Sequence, residues 1–466
     1  MTEQSFLTNI NENIRSPKES VIFMFLEEYE QEIDYNRFLY DFDLRIQLQY
    51  VLSAQKKEIA MIDRPAYMDQ IHPFIGKNVI KVLVGARRSG KSTLLTLIRK
   101  QLAAESVAEQ SILHINFESG EFSSIANADD LTRYVSERMD GIDGTVRLFF
   151  DEIQEVDHWE KAVRSFMVDY DADIYLTGSN ARMLSSDLAT YITGRYVTIN
   201  VYPFSFAEFL DAYRQSVGPI DERSAFHRYV VQGGFPFQTD LAFDEAASLR
   251  YLDDLFSTIL FKDVVRHAGI RDADALERVI RYVIGEEGHL ITAPNIASYM
   301  KSEHRKVSAE TIANYLNAAA KAFLIYRVPR EDAIGKRTLK INEKYYVVDQ
   351  GLRRAIGLNN ANAIDQVLEG IVYMELRRRG YDVHVGKVDD KEIDFIARRG
   401  DAVSYYQVTY LIGSQQTAER EFGAFAGIRD NWPKYVLSMD EFPQTRDGIQ
   451  GINIIEWLLA DDIARL

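Results

Sequence analysis

The chain of 466 residues contains no cysteine. That absence removes disulfides, thiolate-bound zinc, iron–sulfur clusters and thiol nucleophiles together. Proline is scarce, at 10 residues, and the 26 glycines form no repeat, which excludes collagen-like and proline-rich architectures. No apolar run approaches the roughly 18–20 residues a membrane-spanning helix needs. The start, Met1-Thr2-Glu3-Gln4-Ser5, lacks a basic stretch followed by an apolar one, so it does not read as a secretory signal. The expectation is a soluble cytoplasmic protein without a membrane partner.

Hydrophobic residues make up 46% and charged residues 27% of the chain, an ordinary globular composition. At roughly 150 residues per domain the length allows about three domains. The net charge is −16, and a uniformly acidic surface would repel nucleic acid. The charge is uneven, however. Residues 1–60 hold 6 basic and 11 acidic side chains, whereas residues 261–344 hold 15 basic and 11 acidic. A nucleic-acid partner for the middle of the chain therefore stays open.

Five segments follow one another. Residues 1–60 are acidic and aromatic, with Phe23, Phe25, Tyr29, Tyr35, Phe38, Tyr40, Phe42 and Tyr50 close together, and read as a helical N-terminal extension. Within 61–204, apolar runs at 80–84, 112–117, 146–150, 174–176 and 197–201 alternate with helical stretches. That alternation predicts an α/β fold with a parallel sheet covered on both faces. Residues 205–290 carry helical periodicity. Residues 291–348 read as two helices and two short strands, and residues 349–466 as a second α/β region.

Gly85-Ala86-Arg87-Arg88-Ser89-Gly90-Lys91-Ser92 fits the phosphate-loop pattern, and it lies between an apolar strand and a helix. Gly85 and Gly90 let the backbone curl so that amide N–H groups converge on phosphate oxygens. The helix N-terminus adds positive partial charge. Residues Gly85, Ala86, Arg87, Arg88, Ser89, Gly90, Lys91, Ser92 and Thr93 form the expected cradle for ATP. Lys91 is placed to reach the β- and γ-phosphates, and the Ser92 hydroxyl to ligate Mg²⁺. A chance glycine loop is the alternative.

The apolar strand at 146–150 ends in two carboxylates. Asp151 is placed to hold the Mg²⁺ shell, and Glu152 to orient and deprotonate an attacking water. A third strand runs into Thr177-Gly178-Ser179-Asn180. If it lies between the other two, Asn180 or Ser179 points at the γ-phosphate, with Thr177 as the competing residue. The alternative is a simple polar turn. Arg195, in Thr193-Gly194-Arg195, could stabilise charge on the transferring phosphoryl within its own or a neighbouring subunit, or be a solvated surface residue. Arg87 and Arg88 share that ambiguity.

The sequence resembles a family of bacterial and archaeal AAA-type ATP-binding proteins that carry a C-terminal domain of unknown function. The resemblance rests on the phosphate loop, Phe150-Asp151-Glu152-Ile153-Gln154, Leu176-Thr177-Gly178-Ser179-Asn180, Tyr202-Pro203-Phe204-Ser205-Phe206-Ala207-Glu208-Phe209, Gly233-Gly234-Phe235-Pro236 and Glu392-Ile393-Asp394-Phe395. It implies an AAA-type core, a helical lid, a winged-helix module and a C-terminal fold like that of restriction endonucleases.

The middle module supports that outline from its own residues. Ser308 reads as an N-cap. Ile312, Tyr315, Leu316, Ala319 and Phe323 share one helix face, and Glu310, Asn314, Asn317 and Lys321 the other. A hairpin then carries Lys336, Arg337 and Lys340 near its tip. A packing or protein-binding role is the alternative to DNA contact.

In the C-terminal module the resemblance places Glu369 or Glu375 and Asp394 in a metal-binding set. Gln407 stands where a second acid is usual and Thr409 where a lysine is usual, so nuclease activity is not expected. Tyr405 and Tyr406 read as surface or sheet residues. The function expected is Mg²⁺-dependent ATP hydrolysis that moves the later modules, acting on DNA, in a homo-oligomer with a ring as one arrangement. A slow nucleotide switch on a protein partner and an ATP-gated nuclease are the alternatives.

Overall fold

The structure, a computed structural model, describes residues 61–181, 194–266, 268–335 and 337–460. The expected extension over 1–60 lies outside these residues. After a short helix α1 (Pro65–Ile71) come β1 (Ile80–Val84), α2 (Lys91–Ala104), β2 (Ile112–Asn116), α3 (Ala128–Met139), β3 (Val146–Asp151), α4 (Trp159–Asp169), β4 (Ala172–Gly178) and β5 (Tyr196–Asn200). The strands fall within two residues of the expected apolar runs. They form a sheet in the order β2-β3-β4-β1-β5, with every neighbouring pair parallel. β1 and β4 are buried throughout, as strands covered on both faces must be. In this order β4 lies between β1 and β3. The carboxyl ends of those three strands therefore open at one edge, where open α/β sheets take their ligands.

β1 is not wholly apolar. Lys81 is buried and pairs with the buried Asp173 of β4, and its ammonium also donates to the carbonyls of Lys77 and Val79. Burial pushes its pKa down, and Asp173 opposes that shift. The pair lies toward the amino ends of the strands, away from the phosphate loop.

Helices α5 (Phe206–Ser216), α6 (Glu222–Gln232), α7 (Glu245–Thr258) and α8 (Ala273–Gly285) follow. The start of α5 explains the Ser205-to-Glu208 spacing. Ser205 accepts the Glu208 N–H and Glu208 accepts the Ser205 N–H, a reciprocal cap. Phe206, Phe209, Tyr213, Phe226, Tyr229 and Phe243 pack edge-on or tilted beneath it. α7 runs directly into a π-helical segment, Ile259–Arg266.

α9 (Ala293–Ser302) and α10 (Ala309–Lys321) come next. Ser308 caps α10, accepting from Thr311 N at 3.0 Å. Ile312, Tyr315, Leu316 and Ala319 are buried, while Glu310, Asn314, Asn317 and Lys321 are exposed. β6 (Ile325–Asp332) and β7 (Arg337–Val347) then pair as an antiparallel hairpin. Lys336 and the side chains of Arg337 and Lys340 lie outside the described residues.

The hairpin does not stand apart. β6 also pairs in parallel with β8 (Asp382–Val388), from Arg330 opposite Val385 to Asp332 opposite Lys387. It thereby joins β9 (Lys391–Arg399), β10 (Ala402–Val408), β11 (Lys434–Ser438) and β12 (Gln450–Asn453) in a seven-stranded mixed sheet, ordered β12-β11-β10-β9-β8-β6-β7. The boundary expected at 348 falls inside this one sheet. The physical reason is that the free edge of β6 needs hydrogen-bond partners, and β8 supplies them. Helices α11 (Gln350–Ala355), α12 (Ile364–Arg378), α13 (Gln415–Gly423) and α14 (Ile454–Leu459) complete the region. Among the described residues no helix is long and apolar enough to cross a membrane.

Candidate active site

The loop between β1 and α2 has the backbone that its glycines allow. Gly85 passes so close to the next strand exit that a Cβ there would lie 2.0 Å from the Val201 carbonyl oxygen. Gly90 precedes α2 with φ near +98°, a left-handed conformation that costs glycine least. Lys91 opens the helix and is buried. Its ammonium donates to the carbonyls of Gly85 at 3.2 Å and Ala86 at 3.1 Å, and lies 3.5 Å from Glu152 Oε1. The Ser89 hydroxyl is buried in the same loop without a hydrogen-bond partner. Ser92 and Arg88 are exposed and Thr93 half-buried.

The acid pair stands at the carboxyl end of β3. Thr177 of β4 braces both residues: its hydroxyl donates to Asp151 Oδ1 and accepts the Glu152 N–H at 2.8 Å. Glu152 adopts φ +54°, a strained conformation for a side chain with a Cβ and one concentrated at functional positions. Burial raises the pKa of Glu152, but the Lys91 charge and then a hydrogen bond from Gln154 outweigh it, so the carboxyl is held below its usual range. An ionised, buried carboxylate beside the loop lysine can accept a proton. Asn180 is buried just past β4, with Nδ2 directed at the Asp263 carbonyl at 3.5 Å.

Lys91, Asp151, Glu152, Thr177 and Asn180 thus meet at one sheet edge. Arg195 does not join them. Its carbonyl accepts the Ile80 N–H at 2.9 Å, at the amino end of β1. The five-residue strand separates it from the phosphate loop by roughly 15 Å. An exposed arginine there cannot serve its own subunit's phosphates, which corrects that part of the expectation.

Several groups in or beside the site were not singled out from sequence. Arg64, just before α1, clamps the loop to the helical region. It donates to the Ser89 carbonyl at 3.0 Å, the Tyr202 carbonyl at 2.9 Å and both Glu208 oxygens at 2.8 and 2.9 Å. Glu118 and Asp263 engage Arg87. Burial raises the pKa of Glu118, yet hydrogen bonds from Arg87 and then Lys262 bring it down to about 2.

At the seven-stranded sheet, Glu369 of α12 rather than Glu375 joins Asp394 through Lys344. Glu375 is turned to Arg378 and Arg379. A lysine does enter the cluster, from a different strand: Lys344 of β7 reaches Glu369 at 2.7 Å, Glu392 at 2.8 Å and Asp394 at 3.7 Å. Tyr346 donates to Glu369. Burial and then the charge of Glu369 push the Asp394 carboxyl well up. Gln407 accepts the Asp394 N–H at 3.4 Å, and Thr409 is directed at Asp365. Tyr405 and Tyr406 are buried within the sheet, Tyr406 stacked on Tyr435.

The parallel five-stranded core and its loop are those of an AAA-type P-loop ATPase, and an AAA domain family model matches residues 77–210. A domain of unknown function (DUF8612) matches residues 223–362. The chain is 40% identical over 407 residues to an uncharacterized protein of Haemophilus influenzae, covering 86% of this chain and 99% of that one. It is 30% identical over 361 residues to the uncharacterized protein MJ1544 of Methanocaldococcus jannaschii, covering 75% and 78%. The chain belongs to the same family as these two relatives, and its own residues 77–210 carry the AAA domain. Among solved structures it is similar to the Walker-type ATPase PABY2304 of Pyrococcus abyssi, at 15% identity and TM-score 0.46, covering 63% of this chain and 95% of that one.

Proposed function

We propose that the protein binds ATP with Mg²⁺ in the 85–93 loop and hydrolyses it. The observation that carries this reading is the buried, ionised Glu152 held 3.5 Å from Lys91 at the carboxyl edge of the sheet. The donor set suits the metal. Ser92 and Asp151 offer hard oxygens, and Mg²⁺ takes few protein ligands beside nucleotide phosphates. Among the described residues no group of three or more His, Asp or Glu is placed to hold a metal unaided. Bound there, the cation would neutralise charge on the phosphate oxygens.

The chain's own residues do the rest. Lys91 exchanges the Gly85 and Ala86 carbonyls for the β- and γ-phosphates. Glu152 orients a water and takes its proton. Thr177 fixes both acids, and Asn180 senses the γ-phosphate. Loss of that phosphate then alters the helices of 205–285 and moves the modules packed on them. Arg195, at the opposite end of β1 from its own loop, acts on a neighbouring copy in an oligomer.

DNA is the proposed cargo. The support is the helix pair α9–α10 with its exposed Glu310, Asn314, Asn317 and Lys321, followed by the β6–β7 hairpin. We read the C-terminal sheet, from the sequence resemblance alone, as a restriction-endonuclease-like scaffold. Lys344 fills its acidic cluster, and Asp394 is held toward its neutral form.

One experiment tests the reading: phosphate release by wild type, Lys91→Ala and Glu152→Gln, with and without supercoiled plasmid and Mg²⁺. Wild type turns over, is stimulated by DNA and leaves the plasmid intact, while both variants release little phosphate. Wild-type turnover no faster than Lys91→Ala ends the ATPase proposal. Turnover indifferent to DNA favours a switch on a protein partner.

A further inference from the structure

One buried carboxylate beside the site has no part in the chemistry above. Asp263 lies in the π-helical segment, buried along with Ile259, Leu260 and Val264. A buried carboxylate needs a cation. It takes Arg87 of the phosphate loop in a two-pronged pair, Nε to Oδ2 at 3.0 Å and Nη2 to Oδ1 at 3.2 Å. The third arm of Arg87 donates to Glu118 at 2.8 Å, and Lys262 reaches the same Glu118 oxygen at 3.0 Å. The Asp263 carbonyl faces Asn180 at 3.5 Å. One residue of the helical region thus holds both a loop cation and the side chain that follows β4. The element itself is unusual: π turns are rare and gather at functional positions, and this one runs for 8 residues.

Both buried cations of the loop are committed to acids, Lys91 to Glu152 and Arg87 to Asp263 and Glu118. A guanidinium fork matches a phosphate as well as a carboxylate. The same N–H groups cannot serve two anions at once. We propose, resting on the ATPase reading above, that Asp263 competes with the terminal phosphate of the nucleotide for Arg87. The triphosphate, and not the diphosphate, then frees the π-helical segment from the phosphate loop. Asp263 is a positioning residue in this scheme, acting on the nucleotide through Arg87. The release has somewhere to register. Asp263 and Asn180 line a cleft of about 420 Å³ that Asn314, Asn317 and Lys321 of α10 also line. Loosening the segment is therefore felt at the polar face of α10.

The test is the dissociation constant of the full chain for Mg²⁺-ADP and for Mg²⁺ with a non-hydrolysable ATP analogue. Competition predicts that Asp263→Asn tightens the analogue roughly tenfold and leaves ADP unchanged, as expected for one charge-assisted pair. Arg87→Ala brings the two affinities together. Glu118→Gln shifts the ratio the same way by a smaller factor. Its side chain is partly exposed, so it decides the matter if Asp263→Asn fails to fold. An unchanged ratio in the carboxylate variants overturns the proposal, as does equal weakening of both nucleotides in Asp263→Asn. Wild type that binds neither nucleotide overturns the ATPase reading instead, so the two failures are distinguishable.

Discussion

A single hydroxyl, that of Thr177, ties the Asp151 carboxylate to the backbone amide of Glu152. Replacing it with valine leaves Asp151 and the Glu152 amide without that partner. Misplacing a reacting group by about 1 Å costs on the order of 100-fold. Thr177→Val should therefore lower the hydrolysis rate by roughly 10–100-fold while ATP binding persists, and Thr177→Ser should restore it. Rates and binding measured side by side on both variants check this; valine at the wild-type rate contradicts it. Residues whose roles follow from local spacing were legible. Lys91 and Ser92 sit at fixed offsets from Gly85, and Asp151 and Glu152 end an apolar run. Arg64, Glu118 and Asp263 were not legible, because each meets the loop only through the tertiary fold. Asp263 lies 176 positions from Arg87, and no local pattern marks that distance.

At the scale of elements, the carboxylate that follows α8 ties helices to sheet. Glu287 accepts the Val347 N–H of β7 at 3.0 Å and lies 3.7 Å from Arg353 of α11. Burial is the largest influence on it; Arg353 pulls the other way, and Glu369 and Asp349 add to the push, leaving a pKa of about 8. The unfolded value is near 4.5, so between those limits the folded chain binds a proton that the unfolded chain does not. Stability from this group is complete below about 4.5 and is lost as pH rises through about 8. The melting temperature of Glu287→Gln relative to wild type should climb from pH 5 to 8 and level off above; a flat difference contradicts the assignment. The central strands β1, β3 and β4 were readable because burial on both faces leaves apolar runs. The β6–β7 hairpin was readable too, but its pairing with β8 was not. Arg330 and Val385 carry no signature of each other, and period-2 patterning says nothing about which edge a strand will find.

At the scale of the whole molecule, the net charge of −16 is a weak guide, since the chemistry gathers at one sheet edge and in one buried cluster. The C-terminal region shows the limit of reading by motif. Thr409 stands where a lysine is usual, and Lys344 reaches the acids from β7, 65 positions earlier. Every proposed role of the core depends on nucleotide occupancy of the 85–93 loop. The most direct measurement is calorimetric titration of the purified chain with Mg²⁺-ATP, using Glu152→Gln to suppress turnover and Lys91→Ala as the control. Occupancy of the loop requires saturable binding by Glu152→Gln and its loss in Lys91→Ala. No saturable heat from either Glu152→Gln or wild type would contradict it.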